Sequence, residues 1–270
     1  MQTTGWRLGP QESKLFAWTQ LRGLERVRRE DVAQSLRLTE TQTTHLLSRM
    51  KRRGLLVQLQ RGLYLVPRTL PPGGKWMPSA AVVIRHLMEA LGGQWQMAGP
   101  VAFHHYGLTE QVPNITAVYN DRLSGRKKIG SLEVTFIKVS AKRLGALATG
   151  DQKTPENMPT LARTIMDGVY DYSRFGSLPA AFGWIAERKG NSDLFLDLAK
   201  TAKKFGNVAT CRRIGYCLKE LGAPERMTEL LRKNLRDTES VIPLLPALSR
   251  KGKIDSVWGI IQNTPFPPNE

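Results

Sequence analysis

The chain has 270 residues, enough for two compact domains, and an apolar fraction of 41% that is ordinary for a globular protein. No apolar run nears the about eighteen residues of a membrane span, and Met1–Arg7 lacks a secretory signal's apolar stretch, so a cytoplasmic protein without membrane partners is expected. The formal charge of +17 points to a polyanion, nucleic acid ahead of a membrane surface, and is densest at the front: +8 on residues 1–70, +5 on 71–150 and +4 on 151–270.

In chain order, Gly9-Pro10-Gln11-Glu12 opens a helix, with proline pre-set for the first turn and Glu12 complementing the positive helix end. Leu15, Trp18 and Leu21 fall on one face, and Gly23 stops the helix. A short second helix, Glu30 to Leu36, buries Val32, Ala33 and Leu36, and Leu38 sits in a tight turn. Thr39-Glu40-Thr41-Gln42 reads as a capping box for a third helix. That helix buries Leu46, Leu47 and Met50 and runs out in Arg49, Lys51, Arg52 and Arg53 before Gly54. A hairpin follows: Leu55–Leu59, a turn at Gln60-Arg61-Gly62, then Leu63–Val66.

Pro71-Pro72-Gly73-Gly74 reads as a linker. Pro78 and Ser79 then start a helix with Ala80, Val83, Ile84, Leu87, Met88 and Leu91 on one face and His86 alone on the polar face, ended by Gly92-Gly93. Pro100–Tyr106 predicts a short helix; Ile115–Tyr119 and Leu132–Val139 predict two strands joined by the basic loop Asp121–Gly130. From Pro159 to Arg236 the pattern is helical, with breaks at Gly176, Gly190, Gly206 and Gly222-Ala223-Pro224. The tail from Thr264 reads as extended and frayed.

Helix, helix, turn, longer helix with a basic end and hairpin with arginine at its tip is the order of a winged helix-turn-helix, whose third helix enters the major groove of double-stranded DNA. The face opposite Leu46, Leu47 and Met50 offers Thr41, Gln42, Thr44, His45 and Ser48. Gln42 either pairs bidentately with adenine or is occupied as a cap; Thr41 and Thr44 suit a hydrogen bond or a thymine methyl; Arg49 reaches guanine or phosphate. Arg52, Arg53 and the wing residue Arg61 suit phosphates, which position without specifying sequence. A winged helix that serves only as a protein-interaction module is the other reading of the same pattern. Arg126, Lys127 and Lys128 in the inter-strand loop form a secondary basic surface or a merely solvated tip, and Lys203, Lys204, Arg212 and Arg213 could extend such a surface.

A family resemblance spans most of the chain from this point. Arg61-Gly62-Leu63-Tyr64, the run Gly99-Pro100-Val101-Ala102-Phe103-His104-His105-Tyr106-Gly107-Leu108-Thr109-Glu110-Gln111-Val112-Pro113, then Ala162–Asp167 and Arg212–Leu218 resemble the AbiEi antitoxins of type IV toxin–antitoxin systems. Val101 stands where that pattern has a small serine, which touches packing only. The resemblance implies an autorepressor that binds an inverted-repeat operator. It also implies a C-terminal domain that counters a nucleotidyltransferase-like toxin, with or without direct contact.

Catalytic chemistry has little to stand on. His86, His104 and His105 make no metal-ligand spacing with each other or with Cys211 and Cys217, which read as small core residues. A nuclease would need Asp121, Glu133 and Lys138 together, yet Glu133 and Lys138, five apart on a strand, face opposite sides. No catalytic residue, metal or cofactor is therefore expected. The expected architecture is α+β: a winged helix-turn-helix (1–68), then a C-terminal antitoxin domain (75–270), mixed α/β over 75–150 and helical over 151–270. A plain regulator with an effector-binding C-terminal domain is the alternative.

Overall fold

A computed structural model describes residues 7–70, 75–149, 155–233, 235 and 240–267. The fold is mixed α+β. Its elements are α1 (Pro10–Leu21), β1 (Arg26–Arg28), α2 (Arg29–Leu36), α3 (Glu40–Arg52), β2 (Val57–Gln60), β3 (Leu63–Leu65), α4 (Ala80–Leu91), β4 (Trp95–Ala98) and α5 (Pro100–His105). There follow β5 (Thr116–Asn120), β6 (Gly125–Ile129), β7 (Leu132–Lys138), α6 (Leu161–Tyr170), α7 (Tyr172–Phe175), α8 (Ala180–Ala186) and α9 (Ser192–Phe205). The chain closes with α10 (Val208–Glu220), α11 (Glu225–Arg232), β8 (Ile242–Pro243), β9 (Lys253–Asp255) and β10 (Ile260–Gln262). No helix among the described residues is long and apolar enough to cross a membrane.

The chain divides into two compact units. The first holds residues 1–95 and 122–136, the second 96–121 and 137–270, so the stretch 75–150 is shared between them. The linker read at Pro71–Gly74 lies outside the described residues. Charge partitions unevenly. The first unit carries 19 Lys and Arg against 7 Asp and Glu, or +12, and the second 21 against 16, or +5.

In the first unit, Leu15, Phe16, Val32, Leu46, Leu47, Met50, Leu55 and Leu56 make a closed core. The face of α1 that enters it is Glu12, Leu15, Phe16 and Thr19, while Leu21, expected on the buried side, is 87% exposed. The turn between α2 and α3 holds Arg37 in the left-handed region (φ 54°), a conformation that costs a non-glycine residue about 1 kcal/mol. Strand β3 pairs antiparallel with both β2 and β1, the latter a strand too short to read from the sequence. Helix α4 packs on β2, its N-terminus capped by Ser79. His86 is not on a polar face: it is buried beside Glu25, Nε2 to carboxylate 3.3 Å, and burial followed by the Arg85 charge pushes its pKa down.

The second unit is built on α6, α9, α10 and α11, which pack on one another around Ile165, Met166, Phe182, Leu198, Ile214 and Leu231. Its least obvious element is the small sheet β8-β10-β9, which carries Trp258 and Ile260 into the same core. Gly215 on α10 faces Trp258 so closely that a Cβ there would overlap the indole ring. The tail is not frayed as far as Pro267, because Phe266 seats between Phe182 and Tyr216 at ring separations of 6.5 and 6.0 Å. Three further buried charges lock the helices. Arg163, fully buried, donates to Asp167 (2.8 Å) and to the carbonyls of Gly145 and Arg143, and Arg143 donates to the other Asp167 oxygen at 2.5 Å.

Removing Asp167 would leave two largely desolvated guanidinium groups uncompensated. Asp167→Ala is expected to cost roughly 3–5 kcal/mol in denaturant unfolding. Gly215→Ala is expected to cost about 1–3 kcal/mol through overpacking against Trp258. A loss below about 1 kcal/mol for Asp167→Ala would mean that the arginines find other acceptors and that the triad is not what holds α6.

Candidate nucleic-acid interface

Helix α3 is set by its capping box. The Thr39 hydroxyl accepts from the Gln42 amide (3.3 Å) and the Gln42 side-chain oxygen accepts from the Thr39 amide (2.9 Å). Thr43, Leu46, Leu47 and Met50 face the core, and Thr41, Gln42, Thr44, His45, Ser48, Arg49 and Arg52 are exposed. Bidentate adenine recognition requires the Gln42 oxygen as an acceptor. That oxygen is engaged, so of the two uses read for Gln42 the structure holds the cap. The Thr44 hydroxyl donates to the Glu40 carbonyl (2.9 Å) and is thereby occupied as a donor.

The basic end of α3 divides into paired and unpaired cations. Arg49 donates through Nε to Glu12 (3.1 Å), and Arg53 contacts the other Glu12 oxygen while also donating to the Arg7 carbonyl (2.8 Å). Glu12 has no exposed surface and further accepts from the Gly9 amide at 2.9 Å. Burial opposes its ionisation, but the Gly9 hydrogen bond and the two arginines outweigh it and hold the carboxyl below its ordinary value. Arg49 and Arg53, read for a base or phosphates, thus also pair with α1, Arg49 with half of its side chain still exposed. Lys51 donates to Gln58 of β2 (2.7 Å) and ties the helix to the hairpin. Arg52 and, at the hairpin turn, Arg61 are exposed and make no side-chain hydrogen bond or ion pair among the described residues. Gly62 completes that turn at φ +75°, its carbonyl held by the Arg29 amide (2.9 Å).

The other candidate cations have different fates. Arg126, Lys127 and Lys128 are exposed but not in a loop: they form strand β6, in register with Thr135, Val134 and Glu133 of β7. Lys203 and Lys204 are exposed in the last turn of α9. Arg212 and Arg213 are buried, donating to the carbonyls of Ser240, Leu244 and Pro243. They anchor the segment that leads into β8 and add nothing to a basic surface. Cys211 and Cys217 are buried, and burial pushes the Cys211 thiol up to about 11. Glu133, exposed opposite Lys128, and Lys138 lie at odd spacing on one strand.

Sequence reading placed Glu12 at the start of α1 but missed its burial and its pairing with α3. The signal was present: an acid in helical phase with Leu15, Phe16 and Thr19 must be paired when that face is buried. In the second unit, Phe103, Leu108, Phe175 and Trp184 line an open cavity of about 850 Å3, with Glu110 and Glu187 among its walls. Much of its lining is the unusual run Gly107–Ile115.

Residues 33–154 match a family described as a family of unknown function, DUF6088. No curated protein matches the sequence. The crystal structure of the RV2827C protein from Mycobacterium tuberculosis is similar, with a TM-score of 0.61 and 18% identity over 95% of this chain and 92% of that one. At that identity the likeness is one of fold.

Glu12→Ala is expected to destabilise the first unit by roughly 3–5 kcal/mol, and Glu12→Gln by less, because the amide still accepts from Gly9. The carboxylate's contribution is full above its ordinary value of 4.5 and fades as pH falls through the lowered folded value. Unfolding curves for wild type and Glu12→Gln across that range should converge in acid. Parallel curves would assign the acid loss to other groups.

Proposed function

We propose that the first unit contains a winged helix-turn-helix that binds double-stranded DNA, and that the chain is a non-catalytic cytoplasmic autorepressor and antitoxin of the AbiEi kind. The supporting observation is a partition of charge. Of the net +17, +12 belongs to the unit that carries α3 and the β2–β3 hairpin, and its unpaired cations include Arg52 on the helix and Arg61 on the wing. In this reading α3 lies in the major groove. Thr41, Thr44, His45 and Ser48 meet base edges, with the Thr44 methyl suited to thymine, and Arg52 and Arg61 hold phosphates. Arg49 and Arg53 orient α3 through Glu12. Antitoxicity against a nucleotidyltransferase-like partner rests on the family resemblance, and it belongs to the rest of the chain.

The cavity in the second unit favours one further reading, a regulator whose DNA affinity responds to a small effector. Aromatic walls and two carboxylates suit a flat or cationic molecule. An effector that changes operator affinity, in a chain that rescues no toxin, would support that account over antitoxicity.

Anisotropy titrations on the DNA upstream of the chain's own gene test the interface. Arg52→Gln or Arg61→Gln should weaken binding to every sequence and make the salt dependence shallower by about 0.9 for each phosphate that is no longer neutralised. Thr44→Ser should cost about 0.8 kcal/mol, the worth of one buried methyl group, on the operator and nothing on random DNA. Equal loss on both would reassign Thr44 to positioning, and unchanged slopes for both arginines would move the interface away from α3.

Antitoxicity is tested by co-expressing the cognate toxin with the full chain, wild type or Arg52→Gln/Arg61→Gln. A cut at residue 75 is the wrong tool, since α4 and β6 belong to the first unit. Growth rescue by both proteins, with repression lost only in the variant, is the expected outcome. Failure of the wild type to rescue would remove the antitoxin reading and leave the regulator.

A further inference from the structure

The segment 122–136 departs from what its sequence position suggests. It lies beyond the second unit's first strand, yet it belongs to the first unit. Two anchors hold it there. Arg122 donates through Nε (3.2 Å) and Nη2 (2.5 Å) to the carbonyl of Gly92, the C-cap of α4. At the other end, the β6–β7 turn at Gly130 (φ +62°) sits against Val57, the first residue of wing strand β2, so that an added Cβ would approach its methyl group to 3.3 Å. Ile129 and Val134 are buried and give the hairpin an apolar footing.

Between these anchors, three successive residues, Arg126, Lys127 and Lys128, are cationic. Side chains of a strand alternate between its faces, so a strand lying on a core hides every second one. In β6, Arg126, Lys127 and Lys128 are all exposed, which means that neither face of the strand is covered there. None of the three makes a side-chain hydrogen bond or ion pair among the described residues, whereas Arg26, Arg49, Arg53 and Arg68 of the same unit are all paired with carboxylates. The hairpin's one acid, Glu133, stands opposite Lys128. Strand β6 is an edge strand, paired with β7 alone, and lysines on such a strand also deter strand-to-strand aggregation. One or two would serve that purpose, and three in succession on an anchored strand make a concentrated, preorganised cationic site.

We infer that β6 is a second phosphate-binding element of the DNA interface, an accessory strand that grips backbone flanking the site occupied by α3 and the wing. The inference rests on the winged-helix reading of the first unit. Such contacts add affinity without sequence preference, and each releases counterions.

The test uses the full chain with Arg126→Gln/Lys127→Gln/Lys128→Gln and, as a milder variant, Lys127→Gln alone. Both changes are at exposed positions and should leave the circular dichroism unchanged. Binding is followed by anisotropy through a salt series, on an operator duplex with and without flanking DNA and on random duplex. The triple variant should show a slope shallower by about two to three, and Lys127→Gln by about one, at about 0.9 per phosphate. The ratio of operator to random affinity should hold, and the wild type's gain from flanking DNA should disappear. If the slope stays at the wild-type value while Arg52→Gln lowers it, β6 does not touch DNA and the proposal falls alone. If Arg52→Gln also leaves it unchanged, the winged-helix reading falls first. Self-association of the triple variant in sedimentation with an unchanged slope would assign the cations to edge protection. A slope change confined to single-stranded RNA would overturn the duplex assignment.

Discussion

A carboxylate with no access to water sits in the apolar stripe of α1, and the arrangement of the first unit follows from how it is satisfied. Glu12 accepts one backbone hydrogen bond at its own helix start and pairs with Arg49 and Arg53, one helical turn apart at the end of α3. An unpaired ion in that position would be too costly to bury, so α1 and α3 are held at one angle and one rotation. The same pairing decides which side chains α3 shows to solvent. Arg49 and Arg53 reach back to Glu12, while Arg52 is exposed with no such partner and Lys51 reaches the hairpin.

The second unit uses the same device for a different end. Arg143 and Arg163 converge on Asp167, and Arg212 and Arg213 donate to the carbonyls of residues 240–244. Arginine is suited to this because its planar group donates several hydrogen bonds at once and stacks on rings, as Arg163 does over Phe205 at 4.3 Å. These four arginines are therefore consumed as structural parts, while lysines such as Lys203 and Lys204 stay exposed. In the first unit a larger share, Arg52, Arg61 and Arg126–Lys128 among them, is left facing water. A bulk charge of +17 is therefore a poor guide to a binding surface until paired and unpaired cations are separated, and in this chain the separation favours the first unit.

Local signals read correctly where the physics is local. The capping box at Thr39–Gln42, the Ser79 cap of α4 and the Gly62 turn depend on residues within four positions of one another, and the structure has each of them. Long-range signals are harder. Strand β6 has no alternation of apolar residues, because its stability comes from the β7 ladder and from anchors at Gly92 and Val57. Strands β8–β10 are too short to carry a period, and they exist because α10 presents Gly215 to Trp258 and two buried arginines to the carbonyls beside them.

By itself the sequence determined a mixed α+β fold, a front weighted with positive charge, the caps and length of α3 and a turn with Arg61 at its tip. These follow from hydrogen bonds and periodicities a few residues long. Only the tertiary structure decided that Arg49 and Arg53 pair with Glu12, that Arg212 and Arg213 face inward, that His86 is buried, and that the basic run at 126–128 returns to the first unit as a strand. The reason is that a side chain's freedom to meet a ligand depends on whether a distant carboxylate or carbonyl has already claimed it. That partner is set by packing between segments up to about sixty residues apart, which no local pattern encodes.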